Sequence, residues 1–397
     1  MRRLLLAIQC LLLCPIILSA EPKKEAIVFG QAISLSGPYA KGVSLTSLPV
    51  YDMWIKEVDG KGGIYVKAYG RRLPLRLLRY DDRSDVNLMK GLLKKLMEED
   101  RVDFILPPWS TGFLYEAGLI ANRHGYILIG GAGGAPIISE AMKNLPFLFQ
   151  VLNFSVTQMP CLAAILKELQ IRTVAILHHD ALHGLEYRNV ALKEFEKKGI
   201  EVKGVKAFGL ERKDFSDLIQ DVSKLDVDGL ICFNYADETI QITKQMMALR
   251  YSPKALFFTV FPNFTAFRDL FGEKTVEGIM GGGGWNAKTP GGEEFAALYR
   301  RHYGREPDDW WGQIYYYASL QHLERAIEEA GRLDQRIIRD LLTRRVYETI
   351  IGPFRYDPDR HFRGHFGQIG QWQKGVYEIV DPTESRTAVP IIKPLWP

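Results

Sequence analysis

The chain has 397 residues, too many for one ordinary hydrophobic core, so two lobes or domains are the default expectation. Hydrophobic residues make up 47% and charged residues 25%, the balance of a globular chain rather than a disordered or fibrous one. Fifty-one basic against 47 acidic residues leave a formal charge of +4, too small a surplus to argue for nucleic acid or an anionic membrane surface.

Residues 1–20, MRRLLLAIQCLLLCPIILSA, join a basic start to a short apolar run and a small residue, Ala20, ahead of the charged EPKKE. This is the pattern of a cleavable export signal. Gln9 and Pro15 interrupt the run, which is short for a membrane anchor, and Cys14 follows Leu13 instead of the small residue that lipidation needs. No later stretch is long and apolar enough to span a bilayer. Cys10 and Cys14 leave with the leader. Cys161 and Cys232 remain in the apolar runs PCLAAIL and GLICFNY, where free buried thiols are expected, although an oxidising compartment permits a bridge.

Strand and helix signals then alternate. AIVFGQAISL reads as a strand, 43–58 as an amphipathic helix, LPLRLLRYDD as a strand and VNLMKGLLKKLMEE as a helix. VDFILPP, TGFLYEAGLIANRHG and YILIGG continue as strand, helix and strand. A second series begins near residue 172, with TVAILHH, EVKGVKAF, VDGLICFNY and ALFFTVF as strands separated by helical segments. The glycine-rich GIMGGGGWN follows, then helices at 291–303, 310–330 and 335–344 and strand-like pieces in FGQIGQWQKGVYEIV. This rhythm predicts an α/β fold: two Rossmann-like halves with mostly parallel sheets and helices on both faces.

Ligands of open α/β sheets sit beyond the carboxyl ends of the strands, which singles out a few loops. In LSGPYAKG, Ser36 is placed to cap a helix, Gly37 to adopt unusual backbone angles and Pro38 to start the first helical turn. PPWSTG (107–112) puts the hydroxyls of Ser110 and Thr111 beside the free N–H groups of a helix start, a cradle for a carboxylate or phosphate with Trp109 as an apolar wall. The same residues also make an ordinary helix cap. GGAGGAP (130–136) permits close backbone approach but lacks the third glycine and the following acidic strand of a dinucleotide loop, so no cofactor is expected. HHDALHG (178–184) offers His178, His179, Asp180 and His183, yet neighbours on an extended chain face opposite ways, so no metal is expected and His183 is a ligand contact or merely exposed. The neighbouring Asp81 and Asp82 point apart for the same reason. In DDWWGQIYYYA (308–318) most of Trp311, Tyr315 and Ala318 fall in the core at helical spacing, with one or two rings at the cleft edge. Nucleophile elbow, zinc-protease and Walker signatures are all absent, so an enzyme is not expected.

The order and spacing of LSGPYAKG, EVDGKGGI, RLLRYDDRSD, DRVDFILPPWSTG, KDFSDLIQDVSKLDVDGLICF, HYGREPDDWW and TIIGPFRYDPDRH…GQWQKGVYEIV resemble the type I periplasmic binding proteins of the leucine/isoleucine/valine-binding family, through essentially the whole mature chain. The resemblance implies two lobes joined by three hinge crossovers, residues 21–147 plus 280–352 forming one and 148–279 plus 353–397 the other. It implies a monomeric, exported, periplasmic receptor that closes on a small molecule and presents it to an ABC transporter permease, or alternatively a periplasmic sensor that presents its bound form to a membrane receptor. It places the ligand's carboxylate at Ser110 or Thr111 and at Ala132, Gly133 and Gly134, with Trp109 beside them. His183 and Tyr235 stand opposite, and Ser36, Gly37 and Tyr39 lie at the cleft rim. The family's amino-acid binders carry threonine where Gly134 stands. Their ammonium-binding glutamate falls near Thr259, where this chain has no acid. A buried ammonium needs such a partner, so the expected ligand is a small carboxylate, either an amino acid whose ammonium meets Trp109 and Tyr235 through cation–π contact or, more simply, a related organic acid without an ammonium.

Overall fold

A computed structural model of the protein describes residues 24–210 and 212–397; the expected leader at 1–20 lies outside the described residues. β1 (Ile27–Ile33) leads through α1 (Ala40–Leu45) and α2 (Ser47–Gly60) to a hairpin of β2 (Ile64–Val66) and β3 (Arg71–Leu73), and then to β4 (Leu75–Asp81). α3 (Val86–Lys94), β5 (Phe104–Leu106), α4 (Thr111–His124), β6 (Leu128–Gly130), α5 (Pro136–Met142) and β7 (Leu148–Gln150) follow. β1 lies between β4 and β5 and β6 pairs with β7, all in parallel. β1 is buried almost throughout because both faces are covered. Phe29 packs against Trp54 of α2 and Phe104, while Ala32 turns to the opposite layer with Met89 and Leu93 of α3.

The second series runs α6 (Ser155–Glu168), β8 (Thr173–His179), α7 (Leu182–Lys198), β9 (Glu201–Phe208), α8 (Ser216–Ser223) and β10 (Gly229–Phe233). It continues through α9 (Ala236–Ala248), β11 (Ala255–Phe258), α10 (Thr265–Phe271), α11 (Glu273–Val276) and β12 (Met280–Gly282). α12 (Gly292–Tyr303), α13 (Gln313–Ala330), α14 (Gln335–Arg344) and the hairpin β13 (Tyr347–Thr349) and β14 (Gly352–Phe354) come next, before β15 (Ile369–Gln373) and β16 (Val376–Asp381). The sheet order is β16-β15-β12-β11-β10-β8-β9, parallel from β12 to β9 and antiparallel at β15 and β16. β9 closes this sheet as a half-exposed edge carrying Lys203 and Lys206, charges that discourage pairing with another chain.

The helices after β12 return to the first sheet: Tyr303 donates its hydroxyl to the Pro49 carbonyl of α2, and α13 packs on α2 and β2. The described chain therefore passes between the sheets after Gln150, after Gly282 and between Phe354 and Ile369. Near the expected divisions at 147 and 280, β7 pairs with β6 and β12 with β11. The second passage explains the run of glycines, because the Gly284 backbone lies directly against the Trp311 carbonyl and leaves no room for a Cβ.

The turn after β1 differs from expectation. α1 starts at Ala40, so Ser36 is no helix cap and Pro38 precedes the first turn. The Ser36 hydroxyl donates to Asp81 (2.7 Å), which also accepts the Leu35 N–H (2.9 Å), while Asp82 accepts the Ser34 hydroxyl (2.6 Å). Bonds to an ionised carboxylate are the stronger choice, and they captured the serine. Cys161 in α6 and Cys232 in β10 are both free thiols. No helix of the described residues is long and apolar enough to cross a membrane.

Candidate functional site

The loops above the carboxyl ends of the two sheets face one another. From the first sheet, Ser110 caps α4 by accepting the Phe113 N–H, and the cap places Ser110 and Thr111 at the helix's positive end. The Thr111 hydroxyl is buried and has no protein partner. Ala132, Gly133 and Gly134 run alongside it after β6. From the second sheet come His183 in the first turn of α7 and Tyr235 at the start of α9, whose N–H donates to the Glu238 carboxylate (3.1 Å).

These residues, with Trp109, line a single cavity of ≈ 30 Å³, room for a water molecule or two. The mouth is shut by rings. Tyr235 meets Tyr39 and Trp109, each at 5.4 Å between centroids, and stacks from behind on His179 (4.6 Å) and His183 (5.2 Å). Lys41 of α1 reaches Asp237 of α9 (3.4 Å) and lies over the Phe261 ring. Gly37 and Pro38 border the outer groove next to Tyr235, whereas Ser36 is tied to Asp81.

Burial pushes the His183 imidazole down to about 3, so it stands neutral in the wall, and its Nε2 has no protein partner. Among the described residues no three histidine, cysteine, aspartate or glutamate side chains gather as metal ligands. His178 approaches Arg188 and His179 accepts the Ala181 N–H, so the two neighbouring histidines do turn to different partners.

Thr259 is not at the cavity. It is fully buried, with its N–H and its hydroxyl both donating to the Cys232 carbonyl (3.0 and 3.2 Å). The next residue, Val260, lines the cavity instead, with Phe264, Leu152 and Thr46. Sequence reasoning also passed over Asp309. Trp311 and Tyr316 are the rings of the aromatic run that reach the cleft. No capping pattern marked Asp309, because α13 starts at Gln313 behind Gly312 and carries no side-chain cap.

The glycine at 134 has a physical reason. A Cβ there would stand 2.7 Å from the Tyr187 hydroxyl, which donates to Gln158, and 2.9 Å from the Asn153 carbonyl. Gly134→Thr is therefore expected to destabilise the fold by about 1–3 kcal/mol through overpacking. Adding Tyr187→Phe relieves one of the two clashes and is expected to recover part of the loss in a denaturant titration.

The family model described as periplasmic binding protein matches residues 26–376. A Leu/Ile/Val-binding protein homolog 7 of Brucella abortus (strain 2308) is 22% identical over 384 residues, covering 91% of this chain and 93% of that protein. The LivJ branched-chain amino acid transporter substrate-binding protein of Streptococcus pneumoniae, solved with isoleucine, superposes with a TM-score of 0.77 at 16% identity, over 93% of this chain and 100% of that one. A solute-binding protein of an ABC transporter from R. palustris, solved with benzoate, superposes with a TM-score of 0.74 at 15% identity, over 92% and 97%.

Proposed function

We propose the function from the family: the chain belongs to the periplasmic binding protein family, and it serves as the exported substrate-binding receptor of an ABC importer. It closes as a monomer around a small carboxylate-bearing molecule and hands it to a membrane permease. The lobes are the two sheets with their helices, and the three passages between them are the hinge. The ligand must favour the closed form, because only a difference in affinity between the forms shifts the equilibrium the permease reads.

One observation carries the ligand class. Two buried polar atoms without protein partners, Thr111 Oγ1 and His183 Nε2, border the same ring-walled cavity from opposite halves. Buried polar atoms are rarely left unpaired, and a hydroxyl at a helix N-terminus suits an anion. Relatives of this fold solved with isoleucine and with benzoate support acids of either skeleton.

Thermal unfolding with leucine, 4-methylpentanoate and benzoate tests it. An acid at ~100 times its dissociation constant is expected to add roughly 2.7 kcal/mol, and Thr111→Val to remove most of that gain. Uncharged amides that stabilise as strongly as the acids would count against the carboxylate cradle.

A further inference from the structure

We propose that Asp309 is the counter-charge for a cationic nitrogen on the ligand, which makes the ligand a zwitterion; this rests on the carboxylate cradle proposed above. The segment between α12 and α13 bridges the two sheets. The Trp310 N–H donates to the Asn263 carbonyl (3.0 Å), and the Thr265 N–H to the Asp308 carbonyl (3.0 Å). That bridge puts Asp309, 1% exposed, among the residues that line the cavity.

Its hydrogen bonds are incomplete. Oδ1 accepts the Trp311 N–H (2.8 Å) and the Asn263 side-chain amide (2.5 Å), but Oδ2 accepts only the Gly312 N–H (3.0 Å). A carboxylate has about four acceptor positions, so one on Oδ2 is unfilled. No lysine, arginine or histidine of the described residues forms an ion pair with Asp309, and Arg305, four residues away, pairs with Asp308 instead. Burial pushes the carboxyl up to about 7, as befits a charge with no counter-ion. A buried carboxylate in that condition is costly until a cation meets it. The surroundings suit one: Trp109, Tyr235, Trp311 and Tyr316 line the same cavity, and their ring faces attract an ammonium or a methylated ammonium. Asp309 thus replaces the acid that Thr259 does not supply.

Calorimetric titration of the mature protein with matched triplets tests the proposal: leucine, 4-methylpentanoate and 3-methylbutylamine, then phenylalanine, 3-phenylpropanoate and 2-phenylethylamine. An amino acid is expected to bind at least about tenfold more tightly than its des-amino partner. Asp309→Asn is expected to erase that gap. Asparagine has nearly the same size and shape, scanning calorimetry checks that the variant folds, and the ligand comparison on the unaltered chain needs no variant at all. Equal binding by the des-amino acid, or an Asp309→Asn protein that keeps the preference, overturns the role of Asp309 while leaving the carboxylate cradle standing. Amines that bind where the acids do not overturn the cradle and leave Asp309 in place. Silence from all six compounds overturns both.

Discussion

Tyr235→Ala is expected to lower ligand affinity by about 10- to 100-fold and to reduce the unfolding temperature of the unliganded protein as well. The two effects come from different neighbours of one ring. Tyr235 stacks on His179 and His183, both from its own sheet, and those contacts persist whether the cleft is open or shut. Its contacts with Tyr39 and Trp109 join it to the other half, and on the proposed hinge closure they are the ones that opening would break. Each aromatic pair contributes about 0.5–1.5 kcal/mol beyond its buried area, so losing two closing contacts costs roughly 1–3 kcal/mol of closure, and closure is coupled to binding. Tyr235→Phe keeps all four ring contacts and is expected to stay close to the parent protein in both measurements. Calorimetric titration reads the affinity, scanning calorimetry the stability, and small-angle scattering the fraction of closed molecules. An alanine variant that binds as tightly as the parent would move the ligand site away from this wall.

Much of this arrangement was legible in the chain because parallel strands buried on both faces write themselves as short apolar runs. TVAILHH, GLICF and ALFF fall inside β8, β10 and β11, and the helices expected at 291–303 and 335–344 are α12 and α14 within a residue. Short or weakly patterned elements were not legible. β7 has three residues, and α6 carries Pro160 in its interior, so neither shows a clean period. At the site, the loops after β5 and β6 were found from their hydroxyls and glycines, since helix starts and close backbone approach demand those residue types. The errors were of two kinds. Ser36 was assigned by local capping preference, and a carboxylate 45 residues away decided its partner. Thr259 was placed by analogy of position, whereas its bonds to the Cys232 carbonyl hold it in the interior and Val260 lines the cavity. Asp309 is brought to the cleft by a bridge between segments more than 40 residues apart, which no local pattern encodes.

Asp309→Asn is expected to gain stability relative to the parent as pH rises from 4 to 8, by about 4 kcal/mol in all. An acid whose folded pKa lies near 7, against 3.8 when free, holds more protons folded than unfolded anywhere between those values. Parent stability therefore falls as pH rises through that window, at about 1.36 kcal/mol for each pKa unit of the shift. Asparagine carries no such pH-dependent penalty; its amide must face one of the two backbone N–H groups that Asp309 accepts, a constant cost that the slope against pH does not read. The difference between the two proteins is the quantity to plot, because buried histidines act on both alike. Burial holds His183 at about 3 and His322 at about 4, so each loses stability as pH falls below the free value of 6.5, in the opposite direction to Asp309. Urea titrations at pH 4, 6 and 8 measure the difference, and a flat line would mean that Asp309 is already neutralised in the folded protein. With a saturating amino acid present the slope is expected to flatten, because an ammonium beside Oδ2 draws the folded pKa back toward the ordinary carboxylate range. A des-amino acid bound at the same occupancy has no such charge and is expected to leave the slope as it was.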